Sequence, residues 1–166
     1  MKRLLLLRHA KSSWGDSSLA DFDRPLNERG RRAAPLVGRF MRERKVRPDL
    51  VLCSPAERAR QTAALVLEAA GLSAPVRFDE RIYEATAARL VGVVSQAEEG
   101  AGEILLVGHN PGMEELLELL TGEARRMPTA ALARIHFDID EWAKLRERAG
   151  RLEWHVKAKE LVDSGQ

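Results

Sequence analysis

The chain carries a single cysteine, Cys53. Without a second thiol, an intrachain disulfide and a multi-thiolate metal site are both excluded. One cysteine at the end of an apolar strand reads as a small core residue. As a nucleophile it would need an amide cradle, and no glycine-rich loop follows it. Long hydrophobic runs are missing too. Leu4 to Leu7 is too short for the apolar part of a secretory signal, and no stretch approaches membrane length. The expected location is therefore the cytoplasm, with no membrane partner. Charge of one sign is not in excess: 27 Lys and Arg stand against 25 Asp and Glu, a net charge of +2. That gives no basic stripe of the kind nucleic-acid binders show. The arginines of Arg29-Gly30-Arg31-Arg32 read as a solvated helix face. Internal repeats, low-complexity tracts, a Walker sequence and a dinucleotide fingerprint are all absent.

What remains is an ordinary globular composition. A hydrophobic fraction of 45% over 166 residues suits one domain, residues 1–166, with a sizeable core. Apolar strands alternate with helical periodicity. Strands are expected at Leu4–Leu7, Asp49–Cys53, Val76–Phe78, Glu103–Gly108, Ala131–Phe137 and Leu152–Val156. Helices are expected from Asn27 to about Arg44, with Ala33, Val37, Phe40 and Met41 on one face, and from Pro55 to about Ala70. Further helices are expected from Ala87 to about Ala97, from Pro111 to Leu120 and around Trp142. Alternation with fully apolar strands predicts an α/β fold, a three-layer α/β/α sandwich around a mostly parallel sheet.

Three strands run into chemistry. The first delivers Arg8 and His9. The second leads into Ser54-Pro55-Ala56-Glu57-Arg58, which reads as a capping box with Pro55 at the first helical position and Arg58 in the first turn. The fourth leads into His109-Asn110-Pro111, with Asn110 as a candidate cap. If the strands are parallel, two imidazoles and two guanidiniums converge at one sheet edge, beside helix N-termini that favour anions. Concentrated positive charge of this kind calls for an anionic ligand. Zinc fits poorly, because the arginines repel a cation and no thiolate or carboxylate joins the histidines. Phosphoryl chemistry fits: Arg grips phosphate oxygens bidentately, and neutral His attacks phosphorus or shuttles protons.

The same residues resemble the histidine phosphatase, or phosphoglycerate mutase-like, superfamily. Leu7-Arg8-His9-Ala10 resembles its nucleophile motif, and Pro25-Leu26-Asn27-Glu28-Arg29-Gly30 its helix start. Ser54-Pro55-x-x-Arg58-x-x-Gln61-Thr62 is similar to its second-arginine motif, and Gly108-His109 to its second-histidine motif. Ala10 in place of Gly, the following Lys11-Ser12-Ser13-Trp14, and Asp21-Phe22-Asp23-Arg24 are most similar to the small bacterial phosphohistidine phosphatase branch.

The resemblance implies a phosphoglycerate mutase-like fold and a hydrolase; no metal or other cofactor is expected, because the arginines and His109 already supply the positive charge. His9 would be the nucleophile and form a covalent phosphohistidine. Arg8, Arg58 and His109 would bind the phosphoryl oxygens, with Lys11, Ser12 and Asn110 as further substrate-binding candidates. A backbone carbonyl on the other ring nitrogen would set the His9 tautomer. The expected partner is a phosphohistidine-bearing protein, with inorganic phosphate as product, no nucleic acid, and a monomeric or weakly self-associating chain.

Family members acting on phosphate esters carry a Glu acid, and Glu80 and Glu84 are the candidates for it. An alkoxide approaches the basicity of hydroxide, about 15.7, whereas imidazole titrates near about 6.5, so a phosphoramidate leaves without strong acid help. Short connections also predict a shallow, open site suited to a protein surface. Two other readings remain open: a small-metabolite phosphomonoesterase using Glu80 or Glu84, and a phosphate-binding module without turnover.

Overall fold

The computed structural model describes residues 1–161; the last five residues of the expected domain lie outside them. Six strands form one sheet: β1 (Lys2–Arg8), β2 (Leu50–Cys53), β3 (Val76–Phe78), β4 (Glu103–Gly108), β5 (Leu132–Phe137) and β6 (Gly150–Val156). Their order is β3-β2-β4-β1-β5-β6. The four strands from β3 to β1 pair in parallel, and β5 and β6 add antiparallel pairs at the far side.

Strand side chains alternate between faces, and here both faces are covered. Leu5, Leu7, Val51, Cys53, Leu105 and Val107 pack under α1 (Glu28–Glu43) and α2 (Glu57–Ala70). Leu4, Leu6, Leu52, Ile104 and Leu106 pack under α3 (Ala87–Ser95) and α4 (Gly112–Thr121). This is the three-layer α/β/α sandwich. Two-sided burial explains why β1 and β4 read as unbroken apolar runs rather than as alternating strands.

Several expected details differ. The buried face of α1 is Ala34, Val37, Gly38 and Met41, while Ala33 and Phe40 are only partly buried at its margin. Near Trp142 there is a single 3-10 turn, Trp142–Lys144, held by the indole N–H donating to the Ala101 carbonyl at 2.6 Å. Ser54 does not cap α2, which starts at Glu57 after Ala56 with no side-chain cap. Asn110 does not cap α4, which starts at Gly112 after Pro111. In both cases tertiary partners claim the polar side chain, as described below.

The start of α1 is built as its sequence predicts. Asn27 Oδ1 accepts from the Gly30 N–H at 2.9 Å. Gly30 also lies against the Lys11 backbone, where a Cβ would collide with the Lys11 carbonyl oxygen. Because Lys11 is two residues past His9, this close approach fixes the loop behind the site. Gly30→Ala is expected to destabilise the protein by about 1–3 kcal/mol through overpacking and to lower turnover as the His9 loop is pushed aside. Thermal melting and kcat on one preparation check both effects.

Candidate active site

The chain leaves β1 for α1 on one face and leaves β4 for α4 on the other, although the two strands are neighbours. Divergence of this kind opens a crevice at the carboxyl ends of the strands. His9 and His109 each follow their strand directly and meet there. The His9 N–H donates to the Gly108 carbonyl at 3.1 Å, and the two ring centroids are 5.1 Å apart. Arg8 ends β1, and Arg58 comes from the first turn of α2. With Lys11, Ser12 and Asn110 they line a cleft of about 260 Å³, completed by Trp14, Arg24 and Thr129. The structure thus brings together all seven residues named from the sequence as catalytic or substrate-binding.

His9 is buried and oriented. Its Nδ1 lies 2.7 Å from the Ala10 carbonyl oxygen, so the ring hydrogen sits on Nδ1 and Nε2 keeps its lone pair. Burial, aided by nearby His109, Arg58 and Arg8, pulls its pKa down to about 3. The second imidazole, His109, is lowered to about 4, again chiefly by burial and then by Arg58. Ser54 Oγ accepts from the Ala56 N–H at 3.2 Å and lies 2.7 Å from His109 Nε2. Ser54, the expected helix cap, therefore orients the second histidine instead.

Asn110 Nδ2 donates to the Met127 carbonyl at 2.8 Å, and Arg8 Nη1 to the same oxygen at 3.2 Å. Ser12 Oγ accepts from Arg24 at 2.9 Å. Four buried polar atoms on the cleft residues have no partner within the described structure: Arg8 Nε, Arg58 Nε, His109 Nδ1 and Asn110 Oδ1. Unpaired buried polar atoms cost about 1–3 kcal/mol each, and they concentrate where a ligand is to be bound.

Both imidazoles are neutral near pH 7, and this sets a pH dependence. In the unfolded chain they take up protons at about 6.5, whereas the folded protein resists until about 3 for His9 and 4 for His109. Below pH 6.5 the unfolded state binds more protons, so stability rises with pH across this window and is lost as pH falls. In NMR titrations the His9 and His109 ring signals are expected to stay at neutral-form positions from pH 8 to pH 5. A midpoint near 6.5 for either ring overturns the expectation.

The arrangement matches known proteins. A model of the histidine phosphatase superfamily (branch 1) matches residues 4–93, more than half of the chain. The chain belongs to the histidine phosphatase superfamily. An uncharacterised protein of Mycobacterium tuberculosis is 40% identical over 69% of each chain. Among solved structures, a protein of Agrobacterium tumefaciens provisionally assigned as the phosphohistidine phosphatase SixA is 31% identical, with a TM-score of 0.81 over 93% of this chain and 97% of that one. Its counterpart from Nakamurella multipartitia, provisionally assigned in the same way, is 29% identical, with a TM-score of 0.82 over 93% and 95%.

The superfamily motif residues Gln61 and Thr62 act as ties between elements. Gln61 Oε1 accepts from the Leu26 N–H at 2.8 Å, and Thr62 Oγ1 from the Ala10 N–H at 2.9 Å. They tie α2 to the segment that precedes α1 and to Ala10, the residue after His9. Cys53 is a core residue, with its thiol pushed up to about 12 by burial.

Glu80 and Glu84 are exposed, and neither lines the cleft. The carboxylate at the site is Asp21, to which the sequence had given no role. Arg58 donates to its backbone carbonyl at 2.7 Å and to Oδ2 at 3.0 Å. Tyr83 donates its hydroxyl to the same Oδ2 at 2.6 Å, and Arg24 donates to Oδ1. The Tyr83 hydroxyl, followed by the Arg24 and Arg58 hydrogen bonds, holds Asp21 down at about 2, while burial opposes them. Asp21 is ionised near neutral pH and suits the task of aiming Arg58 rather than donating a proton. The motif stretch Asp21-Phe22-Asp23-Arg24 was the one sequence signal for it. Among the described residues, no three His, Cys, Asp or Glu side chains cluster as a metal site, and no helix is long and apolar enough to cross a membrane.

Proposed function

We propose that the protein is a phosphohydrolase that removes the phosphoryl group from phosphohistidine on a protein. In the first step the Nε2 lone pair of His9 attacks phosphorus. The bond between phosphorus and the substrate nitrogen breaks, and the electron pair leaves with the substrate imidazole, which is protonated from solvent. Water then attacks phospho-His9, releasing inorganic phosphate and restoring the neutral ring. The arginines and His109 stabilise charge on the equatorial oxygens, which is where a phosphoryl transition state needs it. No metal or cofactor is required by this chemistry, and the chelator EDTA is expected to leave turnover unchanged.

One observation carries the reading. A neutral imidazole of set tautomer faces cationic groups in a cleft whose neighbouring carboxylate, Asp21, is ionised and bound to Arg58 and so has no proton to donate. Such a site handles a weakly basic nitrogen leaving group better than an alkoxide. The likeness to proteins provisionally assigned as SixA supports the same substrate class. The metabolite phosphomonoesterase reading needs Glu80 or Glu84 to reach the leaving oxygen, and both stand off the wall.

A turnover screen on a phosphohistidine peptide and a panel of phosphate monoesters tests the proposal. Glu80→Gln and Glu84→Gln are expected to change phosphohistidine turnover by less than about twofold. General-acid help amounts to about 10²–10⁴-fold, so a loss of that size in either variant overturns the phosphoramidate assignment.

A further inference from the structure

Beside the catalytic cleft runs a second groove of about 370 Å³, joined to it through Lys11 and Thr129. One wall carries Arg29 and Arg32 from the first turns of α1. The other carries Lys157 and Lys159, from the segment after β6. Between them lies an apolar floor of Ala33, Leu36 and Ala158. A further hollow of about 420 Å³ shares Lys157 and Lys159 and leads back to Arg8 and Asn110.

The charge here is local. The whole chain is nearly balanced, yet no acidic residue lines this groove among the described residues. Glu28, just outside, pairs with Arg32 at 3.0 Å, with both side chains well exposed. Glu160 accepts from the Lys157 backbone N–H, and Glu114, in the neighbouring hollow, accepts from the Met127 N–H. Arg29, Lys157 and Lys159 have no ion pair among the described residues. None of these four cations is needed for the proposed chemistry.

We infer that this groove docks an acidic, partly apolar segment flanking the phosphorylated histidine of the protein substrate. The inference rests on the phosphohistidine reading and names what lies beyond the phosphoryl group. Cations on two walls over an apolar floor fit a segment with carboxylates at its margins and an aliphatic residue between them. The passage through Lys11 lets that segment continue into the phosphoryl site. Such complementarity acts on association and specificity, so its signature is in KM and in salt dependence.

Two charge-reversed pairs test it, Arg29→Glu with Arg32→Glu, and Lys157→Glu with Lys159→Glu. Substrates are a phosphohistidine peptide flanked by Glu and Leu, the same peptide flanked by Lys, and free phosphoramidate. Wild type is expected to prefer the acidic peptide, with a preference that weakens as salt rises. Each reversed pair is expected to raise KM for the acidic peptide about tenfold or more while changing phosphoramidate turnover less than about twofold, which also reports an intact fold. Equal use of both peptides by wild type, or an unchanged KM in both reversed pairs, overturns the inference. So does tighter binding of a single-stranded RNA oligonucleotide than of the acidic peptide. Anisotropy with a fluorescent, unphosphorylated acidic peptide separates this from the proposed function. Binding that depends on the four cations in a protein inert toward phosphoramidates removes the phosphohistidine reading and leaves the acidic groove standing.

Discussion

Replacing His9 with alanine is expected to abolish phosphoryl turnover, by about 10⁴-fold or more, while inorganic phosphate still binds. The two outcomes separate because the proposed mechanism places nucleophile and oxyanion grip on different residues. His9 supplies the Nε2 lone pair, which its hydrogen bond to the Ala10 carbonyl keeps available. Arg8, Arg58 and His109 come from the end of β1, the start of α2 and the end of β4, and none depends on the His9 ring for its own hydrogen bonds. Alanine leaves the Ala10 carbonyl without its partner, a cost of about 1–3 kcal/mol, so the variant melts earlier but is expected to fold. Turnover of a phosphohistidine peptide is read beside the shift in melting temperature that phosphate produces. Retention of a tenth of wild-type activity removes His9 as nucleophile. Loss of phosphate binding by a folded variant removes the division of labour.

Arg58→Ala is the second large effect, expected to lower kcat about 10³-fold. Loss of one preorganised donor costs about 10²–10³-fold, and a guanidinium serves two oxygens at once. Arg58 is also held tightly before any substrate arrives, by the carbonyl and the carboxylate of Asp21, itself anchored by Tyr83 and Arg24. Such preorganisation avoids reorienting a long side chain during the reaction. Arg58→Lys keeps the charge but loses the planar fork, and is expected to fall between alanine and wild type. Activity of Arg58→Ala within about threefold of wild type shows that the residue serves only to anchor the Asp21 loop.

Much of this was legible locally. The apolar runs within β1, β2 and β4 announced strands covered on both faces, because only a sheet buried between helix layers tolerates Leu4-Leu5-Leu6-Leu7 without alternation. The convergence of Arg8, His9, Arg58 and His109 followed from where those strands stop. The helix starts were less legible. Ser54 and Asn110 have the right chemistry to cap, but Ser54 turns to His109 and Asn110 to the Met127 carbonyl, and each competing partner lies far along the chain. The weak signal around Trp142 became one 3-10 turn, because an indole anchored on Ala101 needs no longer helix.

By itself the sequence determined the alternation of strands and helices, the layer count and the identity of the groups at the strand ends. Those properties follow from side-chain periodicity and turn chemistry within a few residues. Only the tertiary structure decided the Asp21 clamp on Arg58, 37 residues away, the shared Met127 carbonyl under Arg8, 119 residues away, and the cationic groove between α1 and the end of β6. In each case the partners are set by which strand lies next to which. The order β3-β2-β4-β1-β5-β6 arises from global packing of both faces, and no local pattern of residues encodes it.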